Sequence, residues 1–289
     1  MYPSARDHII LAGWHSIKEG LDALGFDAVE LEFDRNCSVR RIGASGDERI
    51  RLDTPQGIDT LRKQLSENGI RVPAFLMANN YANSDLDFEI DWTIAAIRAA
   101  DALGIPAVRI DAMMHGEEET PPETNIKVFA KAMSRVLDET SDSDVEMGIE
   151  NHGFQGNRPE FLDAVFDAVR SERLGLTLDT GNFYWYGHPL SRVYEIIERF
   201  APCCKHTHAK NISYPVGLRE IQREIGLEYS KYVSPMREGD VDHGRVVEIL
   251  KGAGYSRDLC LEDESLGKFP REKWPAVLRL DADYFRTIL

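Results

Sequence analysis

Four candidate strands in the second half of the chain end in a residue that can ligate a metal. They are Gly148-Ile149-Glu150, Leu176-Thr177-Leu178-Asp179, Lys205-His206-Thr207-His208 and Leu259-Cys260-Leu261-Glu262. Two glutamates, one aspartate and an imidazole form a donor set suited to a divalent cation, whose partners are carboxylate oxygens and neutral ring nitrogens. A single acid at such a position has a plainer reading as a helix cap or an ion-pair partner. Recurrence at four strand ends favours the metal, provided that the four ends meet.

The elements that would bring them together alternate along the whole chain. Short apolar runs near residues 8–13, 27–33, 71–77, 106–112, 145–150, 175–179, 203–208 and 258–262 read as strands, with amphipathic helical segments between them. Four helices are expected to close on a glycine just before the next strand, at Gly25, Gly69, Gly104 and Gly254, because glycine tolerates the left-handed conformation of a helix end. Eight such units, with no glycine-rich dinucleotide fingerprint after the first strand, predict an α/β fold, a (β/α)8 TIM barrel forming a single domain over residues 1–289. The longest connection, about 211–242, follows strand seven and contains Pro215, Gly217, Pro235 and Gly239, with a helix expected around Leu218 to Ile225. This insertion is either a lid over the site or a decorated loop.

Parity decides whether the four ends share a space, since successive side chains of a strand point to opposite faces. Thr177 and Asp179 fall on one face and Leu176 and Leu178 on the other; Cys260 and Glu262 oppose Leu259 and Leu261. Glu146, Gly148 and Glu150 group together, as do Cys204, His206 and His208. Apolar faces turned to the helices put every candidate ligand at the C-terminal mouth, where barrel enzymes place their chemistry. The inward faces of strands two and four add Glu30, Glu32, Arg109 and Asp111, and Arg109 is expected to pair with Glu30 or Asp111, because buried charges need partners. Asn79 and Asn80 could offer amides to a ligand or merely shape a loop.

Composition excludes several classes. The net charge is −15, which disfavours nucleic acid and anionic membrane surfaces as partners. Hydrophobic residues make up 43% and charged residues 29%, enough for a large soluble core. No signal core or apolar run of spanning length is present, and Cys37, Cys203, Cys204 and Cys260 lack paired metal spacing, so a cytoplasmic protein with reduced thiols is expected.

At the four strand ends the chain resembles the xylose isomerase-like barrel superfamily, in particular the sugar phosphate isomerase/epimerase group. The matching pieces are Gly148-Ile149-Glu150-Asn151-His152, Thr177-Leu178-Asp179-Thr180-Gly181-Asn182, His206-Thr207-His208-Ala209-Lys210 and Leu261-Glu262, with Gly239-Asp240-Val241-Asp242 ahead of the last helix. The resemblance implies that Glu150, Asp179, His208 and Glu262 bind one divalent metal ion, Mn²⁺, Mg²⁺, Co²⁺ or Zn²⁺, and that the substrate is a small polyhydroxylated carbonyl compound. Relatives are often oligomers, so a homo-oligomer is expected.

Departures from that pattern matter too. Tagatose-type epimerases carry a histidine where this chain has Asn182, and a second glutamate where it reads His152-Gly153-Phe154-Gln155-Gly156. The added histidines of the trinuclear repair nuclease relatives are absent. The leading expectation is an isomerase or epimerase in which Glu150 and Glu262 remove and return an α-proton and the metal stabilises the enediolate. His152, Asn182 and Lys210 are the substrate-binding candidates, His152 having a second reading as the group that orients Glu150. A dehydratase or lyase of a keto-sugar, inosose or dehydroshikimate-like substrate uses the same intermediate; a non-catalytic sugar-binding barrel is the reading from another class. His206, one pleat deeper than His208, is expected to be a core histidine bound to a carboxylate. Trp14, Phe183, Tyr184 and Trp185 either wall a sugar pocket or pack loops. His15, His115, His188 and His243 are expected to be exposed and carry no role.

Overall fold

The sheet runs from β1 (Tyr2–Arg6) through β2 (Val29–Glu32), β3 (Ala74–Leu76), β4 (Ala107–Ile110), β5 (Glu146–Glu150), β6 (Leu174–Asp179) and β7 (Cys204–His208) to β8 (Asp258–Leu261), which pairs back onto β1. Every pairing in it is parallel. The seam between β7 and β8 is joined at the top by the bridge Ala209–Leu261, where Ala209 N–H donates to Cys260 O at 2.7 Å and Glu262 N–H to Ala209 O at 3.0 Å. This computed structural model describes residues 1–45, 47–82, 84–114, 116 and 119–289. His115 lies outside them. The expected (β/α)8 barrel is therefore found, and the parity of the strands holds: Leu176, Leu178, Leu259 and Leu261 are buried against the helices while Thr177 and Asp179 turn inward. Burying each of those leucines is worth about 1.5–3 kcal/mol.

Helices surround the sheet: α1 (Asp7–Gly13), α2 (Ile17–Leu24), α3 (Pro55–Asn68), α4 (Leu86–Leu103), α5 (Pro122–Glu139), α6 (Pro159–Val169), α7 (Leu190–Phe200), α8 (His243–Gly252) and α9 (Trp274–Ile288). Gly25, Gly69 and Gly104 close α2, α3 and α4 at φ +65°, +62° and +71°, as expected from the sequence. Among the described residues, no helix is long and apolar enough to cross a membrane.

Strand one is displaced from its expected place. Residues 8–13, read as a strand, lie within α1, and the strand is the preceding Tyr2–Arg6. A run as short as Ile9-Ile10-Leu11 does not distinguish a buried strand from a buried helix face, whereas Ser4, polar and unremarkable in the sequence, is drawn inward to donate to Asp258 at 2.7 Å. Trp14 consequently stands at the end of α1, against Gly20 of α2 and under Arg279, and packs against these helices.

The insertion after β7 also departs from its pattern. It contains single helical turns at Val216–Arg219 and Tyr229–Tyr232, and its ends pair as a short antiparallel ladder, Asn211–Ile212 with Val233–Ser234. The helix expected from Leu218 to Ile225 stops after one turn because the Arg223 side chain takes the carbonyls of Leu218 and Ile221 at 2.6 and 3.1 Å. Arg223 lies over the Tyr184 and Tyr214 rings, 4.3 and 4.5 Å from their centroids, and holds the insertion against the barrel.

Candidate functional site

Glu150, Asp179 and His208 end their strands and Glu262 follows the last residue of β8, so backbone register alone carries all four to the mouth. One ligand atom from each lies within 4.8 Å of the other three, and all four residues are buried. Close packing of β5 beside β6 depends on a glycine. A Cβ at Gly148, one pleat below Glu150, would come within 2.3 Å of Thr177 Oγ1.

Each ligand candidate is held differently. Asp179 Oδ1 accepts the backbone N–H groups of Gly181 and Asn182, both at 2.8 Å, which aims Oδ2 away from the chain. Glu150 Oε1 accepts from Asn182 Nδ2 at 3.3 Å and faces His208 Nδ1 at 3.2 Å, while its other oxygen is gripped by Arg109. Glu262 Oε1 takes Arg6, and its Oε2 lies 3.2 Å from His208 Nδ1. Asp179 Oδ2 and Glu262 Oε2 are buried without a hydrogen-bond partner, although the Lys210 ammonium stands 3.2 and 3.4 Å from them.

Electrostatics follows from this crowding. Burial opposes the charge of Glu150, yet Arg109 and then His208 hold its carboxyl well below the usual range. Burial raises Asp179, against the pull of Lys210. Lys210 is itself pushed up despite burial, because Asp179 and Glu264 surround it. A buried group of three carboxylates and an imidazole, two of whose oxygens have no hydrogen-bond donor, could hold a divalent ion: the donor types fit, and the orphaned atoms are what a cation would satisfy.

The other expected residues fall out unevenly. Asn182 and Lys210 are in the site. His152 is beside it, its side chain 42% exposed and its Nδ1 2.8 Å from Asp111 rather than on Glu150; burial lowers its pKa, but Asp111 and Glu150 outweigh that and raise it. Arg109 pairs with Asp111 at 2.8 Å as expected, but its second partner is Glu150 instead of Glu30. His206 is the expected core histidine, 2.8 Å from Glu30 and 3.1 Å from Asp258. The Asn79 and Asn80 amides brace loops: Asn79 accepts from Asp111 N–H and Asn80 from Met114 N–H, each at 2.8 Å. Phe183 and Tyr184 are fully buried under the insertion, and Tyr184 donates to Asp240 at 2.9 Å, so they pack it. His15 is exposed and His188 half-buried, whereas His243, expected at the surface, is buried and 3.1 Å from Thr180 Oγ1.

Three neighbours of the site went unread in the sequence. Arg6 was hidden by the displaced first strand. Glu264 accepts Lys210 Nζ at 2.9 Å, and Tyr229, from the insertion, donates to Glu264. Glu264 could have been suspected from its spacing of two after Glu262; nothing local marks Tyr229, which arrives from 35 residues away in sequence.

A family model described as the xylose isomerase-like TIM barrel matches residues 20–288. The chain belongs to the xylose isomerase-like TIM barrel family. No curated protein sequence matches it significantly. Among solved structures, this family member is similar to an IolI protein with a bound zinc atom at 15% identity and TM-score 0.72, over 100% of this chain and 99% of that one. It is similar to a D-tagatose 3-epimerase-like protein at 17% identity and TM-score 0.66, over 99% of both chains. A third is AsbF of Bacillus anthracis, described as a probable 3-DHS dehydratase of petrobactin synthesis, at 12% identity and TM-score 0.68, over 99% of both chains. At such identities these likenesses speak for the barrel.

Proposed function

We propose that the chain is a divalent-metal-dependent isomerase or epimerase of a small sugar or sugar derivative, with Glu150, Asp179, His208 and Glu262 as metal ligands. The observation that carries the reading is the pair of buried oxygens, Asp179 Oδ2 and Glu262 Oε2, left without hydrogen-bond donors inside a four-residue donor set. A cation bound there supplies Lewis-acid stabilisation to an enediolate formed from a hydroxycarbonyl substrate. Glu150 and Glu262 come from β5 and β8, on different sides of the mouth, and are the groups that take up and return the α-proton. Arg109 and Arg6 hold these two carboxylates in place, and Arg109 keeps that of Glu150 ionised. Lys210, Asn182 and His152 offer donors to substrate oxygens, and Tyr229 brings the insertion over them as a lid. The zinc-containing and epimerase-like structural neighbours agree with this assignment.

A second reading keeps the enolisation and ends in loss of a β-substituent, a dehydratase or lyase. Asn182 favours it: the position where tagatose-type epimerases place a titratable imidazole holds an amide, tied here to Glu150. The dehydratase neighbour points the same way.

A proton-exchange screen in D₂O across ketoses, inososes and their acids, with Mn²⁺, Mg²⁺, Co²⁺ or Zn²⁺ supplied, tests both. Deuterium incorporated into an epimer supports the first reading and a dehydrated product the second. Glu262→Gln should cut kcat about 10³-fold, within the range for loss of an acid–base group, with the circular dichroism spectrum retained. Full turnover by that variant would sink the assignment.

A further inference from the structure

Beneath the ligand set a chain of polar side chains continues down the barrel axis. Ser4 and Tyr255 donate to Asp258 at 2.7 and 2.9 Å; Asp258 faces His206 Nδ1 at 3.1 Å; His206 Nε2 lies 2.8 Å from Glu30 Oε1. Glu30 then meets His208, whose Nε2 is 2.9 and 3.0 Å from its two oxygens. Carboxylate oxygens only accept, so both His206 nitrogens and the His208 Nε2 carry protons in this arrangement. His208 Nδ1 instead points into the donor set, at Glu150 Oε1 and Glu262 Oε2, each at 3.2 Å, and is the nitrogen placed to ligate a cation held there.

We propose that Glu30 is a positioning residue for the metal ligand His208, its carboxylate fixing the Nε2–H form of the ring and turning Nδ1 into the donor set. The proposal rests on the reading of His208 as a metal ligand. A ligating imidazole has two nitrogens and two flip states, and without a fixed acceptor on one side either nitrogen can face the cation. A carboxylate receiving the outer N–H removes that ambiguity and makes the ring a better donor. Glu30 is itself fixed by three cationic or N–H donors, His206, His208 and Arg6, the last at 3.4 Å.

The same residues invite a different reading. Glu30, His206, His208 and Cys260 also bring ligand atoms within 4.8 Å of one another. A second cation in that place would have to take the His208 Nε2 proton and break the Glu30 contacts to both histidines. Unlike Asp179 Oδ2 and Glu262 Oε2, no oxygen or nitrogen of these four residues is left without a hydrogen-bond partner. The cluster is a filled hydrogen-bonded chain.

The test uses the full chain labelled with ¹⁵N-histidine. In metal-free protein the His208 Nε2 proton should be present and slow to exchange; on adding Zn²⁺ the Nδ1 resonance should shift while the Nε2 proton stays. Glu30→Leu should weaken Zn²⁺ binding about 100-fold and Glu30→Gln, which keeps an acceptor oxygen, about 10-fold, spanning the range for loss of such a partner. Affinity is read by competition with a chromophoric chelator, and folding by circular dichroism. A folded Glu30→Leu variant with wild-type affinity, Zn²⁺ on Nε2, a second Zn²⁺ bound with loss of the Nε2 proton, or an unprotonated Nε2 in the metal-free protein overturns the proposal. Should the variants fail to fold, the wild-type spectra decide it alone. A wild-type chain that binds no divalent cation defeats the functional reading itself and the ligand role with it, an outcome distinct from wild-type affinity in a folded Glu30→Leu variant.

Discussion

Two charged layers lie one above the other inside this barrel, and they are finished differently. In the upper layer Asp179 and Glu262 each keep a buried oxygen with no hydrogen-bond donor, and Lys210 stands close by. In the lower layer Ser4, Tyr255, Asp258, His206 and Glu30 connect without an unpaired oxygen or nitrogen among them. Buried polar atoms are nearly always satisfied, so two unpaired oxygens within one four-residue donor set are what a bound cation would account for. On the proposed reading the lower layer serves the fold and the upper one binds the ion. Substitutions should therefore cost stability below and binding above.

The largest effect is expected below. Asp258→Ala leaves the His206 imidazolium with one counter-charge and strips Ser4 and Tyr255 of their acceptor. Breaking a buried ion pair from one side typically costs about 3–5 kcal/mol. Denaturant unfolding of the metal-free protein should show a loss of that size; a change below about 1 kcal/mol would mean that the lower layer is not the structural one. Above, Asp179→Asn should reverse the pattern. Divalent-ion affinity should fall at least about 100-fold, equivalent to about 2.7 kcal/mol, while the metal-free variant unfolds at the wild-type denaturant concentration or higher, since a crowded carboxylate has been made neutral. Isothermal titration with Mn²⁺ and a denaturant curve on the same sample measure both halves. Asp179→Asn that lost stability without losing affinity would erase the distinction between the layers.

The upper layer was legible in the sequence and the lower one only in part, for a physical reason. Strand parity and apolar faces are local, so the sequence alone places Glu150, Asp179, His208 and Glu262 at one mouth, and His206 one pleat beneath. Asp258 and Ser4 were not legible, because a strand's first residues carry no mark of what they meet across the barrel, and an apolar run in α1 drew attention from Tyr2–Arg6. Arg6 was lost with that strand. The insertion was recognised by length and by Pro and Gly content, but its contact with Glu264 through Tyr229 depends on a long return of the chain that no window of sequence encodes. Gly239-Asp240-Val241-Asp242, which reads like part of a site, ties the insertion down: Asp240 accepts from Tyr184 and from Tyr214 N–H, and Asp242 caps α8.

The smallest effect belongs to a pair of carboxyls just behind the mouth, which tests how sharply the two layers are bounded. Asp263 follows the proposed ligand Glu262, and its Oδ1 takes Ser265 N–H at 2.7 Å; Asp281 of α9 takes Met236 N–H at 2.9 Å. The other oxygen of each is buried without a donor other than the partner carboxyl. Burial, and then the charge of Asp263, push the Asp281 carboxyl up to about 9 from its ordinary 3.8. A folded-state pKa above the unfolded one means that the native protein holds a proton the unfolded chain releases. The stability it confers is complete below the unfolded value, about pH 4, and is lost as pH rises toward 9. Asp281→Asn keeps a donor for Asp263 at every pH. It should flatten the decline of Tm between pH 5 and 9 and raise Tm at pH 8 by a few degrees, about 1 kcal/mol at this chain length, while leaving Mn²⁺ affinity at pH 6 unchanged. A Tm that falls with pH as steeply in the variant as in the wild type would assign the decline elsewhere. A loss of Mn²⁺ affinity would show instead that the carboxyl pair reaches through Asp263 into Glu262, and that the boundary of the binding layer lies one residue deeper than its orphaned oxygens indicate.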